Sequence, residues 1–197
     1  MTSLIDRVKN ILTNPKAEWE VINNEPATLQ GLLTSYVIPL SLLSALASFL
    51  KFFVFSSAFG IAYSIAYTIF AIVVTVLVFV IATYVIDALA PNFKSEKDIN
   101  KSAQLVAYSG TAGYVAGIFS FIPVLGGLLS LAGAVYSIYL FYLGVGPLKK
   151  TPEDQKVIYI VVYILISWVI YMVLFSVVAG LLFSSLMTGA AAVSVFG

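Results

Sequence analysis

The chain has 197 residues, 61% of them hydrophobic and 10% charged, with a mean hydropathy of +1.04. That excludes a soluble globular domain, where roughly 25% charge is usual, and ten Lys and Arg offset by nine Asp and Glu leave no basic surface for a nucleic acid. With no Cys and no His, disulfides, thiolate or imidazole catalysis and the usual zinc and haem ligands are excluded as well, and no cofactor or metal is expected.

In chain order, residues 1–31 form a cytoplasmic N-terminal region. Leu4, Ile5, Val8, Ile11 and Leu12 recur at helical spacing, which predicts an amphipathic helix started by Ser3 and Asp6. Its charged side carries Asp6, Arg7 and Lys9, so it is expected to lie in the cytoplasmic headgroup zone rather than pack beneath a bundle. Asn14-Pro15 ends it and opens a second short helix, on which Trp19 reads as an interfacial anchor. Acidic residues precede the first apolar run and no cleavable signal is expected.

Five apolar stretches of span length follow between about 32 and 187. The first runs from about Leu32 to Phe55 and contains Pro39 and Lys51; the second covers about Ile61 to Leu89 and carries Asp87 near its end. The Ser95-Glu96-Lys97-Asp98 segment supplies a cap for the third, about Ala103 to Ile122. A hairpin turn built on Pro123, Gly126 and Gly127 leads into the fourth, about Leu125 to Val145. A polar connector, Gly146 to Lys156, precedes the fifth, from about Val157 to Met187, and residues 188–197 form a short extracytoplasmic tail. Continuous apolarity, without a ten-residue alternation, makes these helices rather than barrel strands.

Nine of the ten Lys and Arg fall before span one, between spans two and three, or between spans four and five; Lys51 is the exception. This distribution predicts a plasma (inner) membrane protein with a cytoplasmic N-terminus and an extracytoplasmic C-terminus. The fold class expected is all-α: a polytopic membrane bundle of five transmembrane helices plus the N-terminal interfacial helix, one domain over residues 1–197.

Small residues at helical spacing, including Gly113 to Gly117, Ser41 with Ala45, Ser44 with Ser48, and Gly180 with Ser184, are expected to pack helices within the chain. A homo-oligomer or another membrane protein is the alternative partner for these faces, beside the membrane lipids themselves. The residues that could line a polar interior or pathway are Lys51, Asp87, Tyr108, Ser109, Thr111, Tyr136 and Ser137. Mutual hydrogen bonding of the deeper tyrosines is the simpler use of the hydroxyls. Lys51 and Asp87 fall at opposite ends of their spans, so they are not expected to pair. No constellation of nucleophile with base, paired intramembrane Asp or metal cluster is present, and no enzyme activity is expected.

Asn14-Pro15 with Trp19, Val106-Ala107-Tyr108-Ser109, Ile122-Pro123-Val124-Leu125-Gly126, and Tyr136-Ser137-Ile138-Tyr139 before Gly144, in this order, resemble the bacterial branch of the Yip1 family. The resemblance covers most of the chain and implies a five-span membrane protein with a cytoplasmic N-terminus. The Asp-Leu-Tyr motif of the eukaryotic relatives, which are associated with Rab GTPases and vesicle traffic, is absent, and Thr111-Ala112 stands where many members have Thr-Pro. The reading of the whole is a non-enzymatic membrane scaffold or membrane-organising protein, with a small-solute or ion transporter built on the Pro123 hairpin and the Tyr/Ser interior as the alternative.

Overall fold

A computed structural model describes the backbone of residues 3–55, 60–122 and 124–196, and the side chains of these except 52, 55, 60, 62, 63, 178 and 181–196. The described residues are helical nearly throughout and contain no strand. Four helical segments, Leu29–Lys51, Ser64–Phe93, Leu125–Lys149 and Glu153–Val177, are long and apolar enough to cross a membrane.

Helix α1 (Leu4–Thr13) starts where the sequence places it: the Ser3 hydroxyl accepts the Asp6 amide at 3.1 Å. Asn14 and Pro15 open α2 (Pro15–Asn24) as expected, although the Asn14 side chain makes no capping bond. The docking of this pair differs from expectation. Trp19 and Ile22 are buried, and α2 lies against the helix Leu125–Lys149 instead of facing lipid headgroups. Trp19 is therefore a packing residue, 1% exposed, and not an interfacial anchor.

The first apolar segment is α3 (Leu29–Leu32), a π-helical turn (Leu33–Val37) and α4 (Ile38–Phe55). Pro39 explains the wide turn. A proline ring collides with the carbonyl four residues back, and the Ile38 amide reaching to the Leu33 carbonyl lets the helix pass that point without breaking. Helix α5 (Gly60–Leu89) carries the second apolar run and ends in a 3-10 turn, Ala90–Phe93. The sequence expectation for the loop before it falls on residues 56–59, outside the described residues, as does Pro123.

The third expected span is divided into α6 (Ile99–Ser109) and α7 (Thr111–Ile118), followed by a 3-10 turn at Phe119–Phe121. Neither helix alone reaches span length. The division falls at Gly110, yet the hydrogen-bond ladder runs through it, from the Gly110 amide to Val106 and from the Tyr114 amide to Gly110. The cap of α6 is Asp98, which accepts the amides of Asn100 and Lys101, whereas Ser95 pairs with Thr151. Every residue from Ser102 to Ser109 is buried, so α6 is enclosed by its neighbours.

Helix α8 (Leu125–Lys149) continues four residues past the expected end, through Pro147, and α9 (Glu153–Phe196) begins after Lys150–Pro152; the connector is thus shorter than the sequence suggested. The tail continues α9 as helix to Phe196, because Ala190, Ala191 and Ala192 are strong helix formers that offset Gly189. At the start of α8, Gly126 is required: a Cβ there would lie 2.6 Å from the Phe119 carbonyl oxygen, while Gly127 faces open space. Beside it Val124 holds φ 64° and ψ −58°, the strained γ-turn geometry.

Several of the small residues work between helices of the one chain, whereas Gly180 faces open space. Gly117 sits against Ser44, whose hydroxyl donates to the Tyr114 carbonyl at 2.6 Å, and Gly133 sits against Ala112 and Ala116. These contacts join α4 to α7 and α7 to α8, as a small-residue interface does in lipid.

Candidate functional site

Among the described residues, buried charges gather in clusters around Lys149 and Arg7, and a cavity and a cleft lie near them. In the first cluster Lys149, in the last turn of α8, is completely buried. Its ammonium donates to Asp87 Oδ1 at 3.2 Å, Ser102 Oγ at 2.7 Å and the Asp98 carbonyl at 3.1 Å. All three ammonium protons are thereby used, the condition under which a buried cation is tolerated. The cluster ties α5, α6 and α8 together, and the Glu96 amide donates to the Lys149 carbonyl at 2.8 Å. Nearby, Tyr159 of α9 donates its hydroxyl to the Ile86 carbonyl and stacks on Phe93 at 4.6 Å.

The second cluster centres on Arg7 of α1, which is 4% exposed and pairs with Glu18 and Glu25. Burial alone lowers the affinity of the Arg7 guanidinium for its proton, but the Glu25 hydrogen bond and the charges of Glu25 and Glu18 outweigh it and hold the group above its ordinary value. Its guanidinium lies 5.4 Å from the Tyr108 ring centre, and Tyr108 meets Tyr36 edge-on at 4.7 Å. The Tyr36 hydroxyl bonds Thr111 Oγ1 at 2.7 Å, which joins the π-helical turn to the division at Gly110. Around this cluster the α2 end is fastened to α6: Gln104 Nε2 donates to the carbonyls of Ile22 and Glu25, each at 3.1 Å, and Lys101 donates to the Asn23 carbonyl.

A cavity of about 340 Å³ lies where α5, α7, α8 and α9 face the division at Gly110. Its walls are mostly apolar, with Thr75, Ser109, Tyr114, Ser137 and Tyr163 among them, and the buried Ser137 Oγ has no hydrogen-bond partner among the described residues. A second cleft of about 510 Å³ opens between α1, residues 25–28, the π-helical turn and Tyr108. The two share no lining residue.

The residues singled out in the sequence are therefore distributed rather than gathered. Ser109 and Ser137 line the apolar cavity, Tyr108 lines the polar cleft, and Thr111 links Tyr36 to the Tyr108 carbonyl. Tyr136 donates to the Leu12 carbonyl at 2.8 Å and so anchors α1, outside both linings. Asp87 belongs to the Lys149 cluster and Lys51 is exposed on α4, unpaired with Asp87 as expected. Tyr84 and Tyr142 are exposed, whereas Tyr108 and Tyr159 are buried. Sequence reading passed over Lys149, Arg7, Glu18, Glu25, Ser102 and Gln104. A signal existed for two of them: Arg7 shares a helical face with Leu4 and Ile11, and Glu18 shares one with Ile22.

The family model described as Yip1 domain matches residues 9–177. No curated protein and no solved structure matches the chain.

Proposed function

The chain belongs to the Yip1 family, and on that premise we propose that it is a non-enzymatic scaffold of the bacterial inner membrane, crossing it five times as one domain with its N-terminus in the cytoplasm. Lys149 at the end of α8 touches Asp87, Glu96 and Asp98, so the end of α5 and the start of α6 lie at that level. Leu125 begins α8 about 36 Å away, at 1.5 Å per residue. Residues 99–121 have to cover this distance to reach it, and 23 residues of helix extend about 34 Å. That supports reading α6 and α7 as one interrupted crossing, with Lys94, Lys97, Lys101, Lys149, Lys150 and Lys156 toward one surface, which the positive-inside rule makes the cytoplasmic one.

The observation that carries the scaffold reading is the commitment of the buried charges. Lys149 with Asp87, and Arg7 with Glu18 and Glu25, fasten elements to each other rather than face a shared passage. A transport route needs ionisable or polar groups in line along a hydrated path, and here the polar cleft and the mostly apolar cavity have separate linings. The cavity beside Ser109 and Ser137 is what favours the second reading, a small-solute or ion pathway. Proteoliposomes loaded with pH- and potassium-sensitive dyes decide between them. The scaffold gives the leak of protein-free vesicles; flux that Ser137→Val abolishes would replace it with transport.

A further inference from the structure

We propose that the cleft between α1 and the π-helical turn binds the ethanolamine ammonium of a phosphatidylethanolamine headgroup. Three observations choose this ligand. The first is charge. Arg7 and Glu25 line the cleft, and Glu18, buried outside the lining, pairs with the same guanidinium; the three-residue cluster carries one net negative charge and favours a cation over a phosphate. Lys101, the nearest further cation on α6, is outside the lining and bound to the Asn23 carbonyl.

The second is unmet hydrogen bonding. Tyr108 is 8% exposed and lines the cleft, yet its hydroxyl makes no hydrogen bond among the described residues. Glu25 engages Arg7 through Oε2 alone and its side chain is 36% exposed. An ammonium with three protons serves Glu25 Oε1 and the Tyr108 oxygen and lies against the rings of Tyr36 and Tyr108. A trimethylated choline can use the rings but has no proton to donate to either oxygen.

The third is position. Gly31, Leu32, Ser35 and Tyr36, which form one wall, occupy the first two turns of the segment Leu29–Lys51, within about 12 Å of its start. That is the depth at which headgroups meet a span. Leu4 forms part of the rim, and Ile5 beside it is 75% exposed, an apolar approach for the glycerol end of a lipid. The inference rests on the reading that this end of the bundle meets a leaflet, and a volume of about 510 Å³ suits a headgroup.

The test uses the full chain in nanodiscs of phosphatidylethanolamine with phosphatidylglycerol, and of phosphatidylcholine with the same share of phosphatidylglycerol. Bound lipid is counted by native mass spectrometry after release into detergent. Wild type is expected to retain phosphatidylethanolamine and not phosphatidylcholine. Glu25→Gln, which leaves Arg7 its Glu18 partner, and Tyr108→Phe, which removes only a hydroxyl, are each expected to weaken that retention about tenfold, the loss of one hydrogen bond to a charged group. Equal retention of the two lipids by wild type overturns the proposal, as does retention unchanged in both variants. A further arm adds free ethanolamine to the phosphatidylcholine discs. Protection by ethanolamine with no retention of phosphatidylethanolamine also overturns the lipid assignment. Failure of the leaflet reading itself shows separately, as loss of the span topology in thiol labelling.

Discussion

Gly144 of α8 meets the indole of Trp19 with no space between them: a Cβ on Gly144 would lie 2.6 Å from two carbons of the six-membered ring and 2.9 Å from Leu105. The glycine is therefore what lets α2 dock on the bundle. Gly144→Ala is expected to cost about 1–3 kcal/mol, as overpacking of a filled core does, read as a lowered midpoint of thermal unfolding in detergent. Gly127→Ala, in the same helix but with nothing within 4 Å, is the control and is expected to leave the midpoint unchanged or raise it. Equal effects from the two would show that the α2 contact does not contribute.

Lys149→Ala leaves Asp87 buried without its counter-charge and is expected to destabilise by about 3–5 kcal/mol. Exchanging both charges for apolar side chains, Lys149→Met with Asp87→Leu, is expected to recover most of that loss, since a buried pair gives little net stability over well-packed apolar groups. A double-mutant cycle of unfolding free energies checks both statements; additive losses would mean the two side chains do not interact.

The absence of native Cys lets topology be read from single introduced thiols. Ala58→Cys is expected to react with an impermeant reagent on intact cells, and Asp154→Cys only after the membrane is opened. The reverse pattern would invert the orientation.

What the sequence made legible follows from what hydropathy and local spacing encode. The apolar segments, the Ser3 cap, the gathering of cations and the interruption at Pro39 are properties of neighbouring residues. Partnerships were not legible, because they depend on how distant segments pack. Asp87 finds Lys149 across 62 positions, Tyr136 finds the Leu12 carbonyl across 124, and Gln104 finds Ile22 across 82. The α1 and α2 helices show the difference most clearly. Their periodicity was evident, but a short amphipathic helix has the same pattern whether it faces headgroups or other helices, and only the burial of Arg7, Ile11, Trp19 and Ile22 decides. Gly110 divides the third segment with no proline beside it, so the local residue pattern gave no warning of the division.

The enclosure of α6 sets an order of assembly. Its neighbours on one side, α2, α3 and α5, leave the ribosome before it, and α8 leaves after it, so the carboxylate of Asp87 and the hydroxyl of Ser102 reach the bilayer before the lysine that neutralises them is made. Translation of the 62 intervening positions takes roughly 3–12 s at about 5–20 residues per second. For that interval the nascent chain carries an acid whose partner in the folded protein has not yet been made.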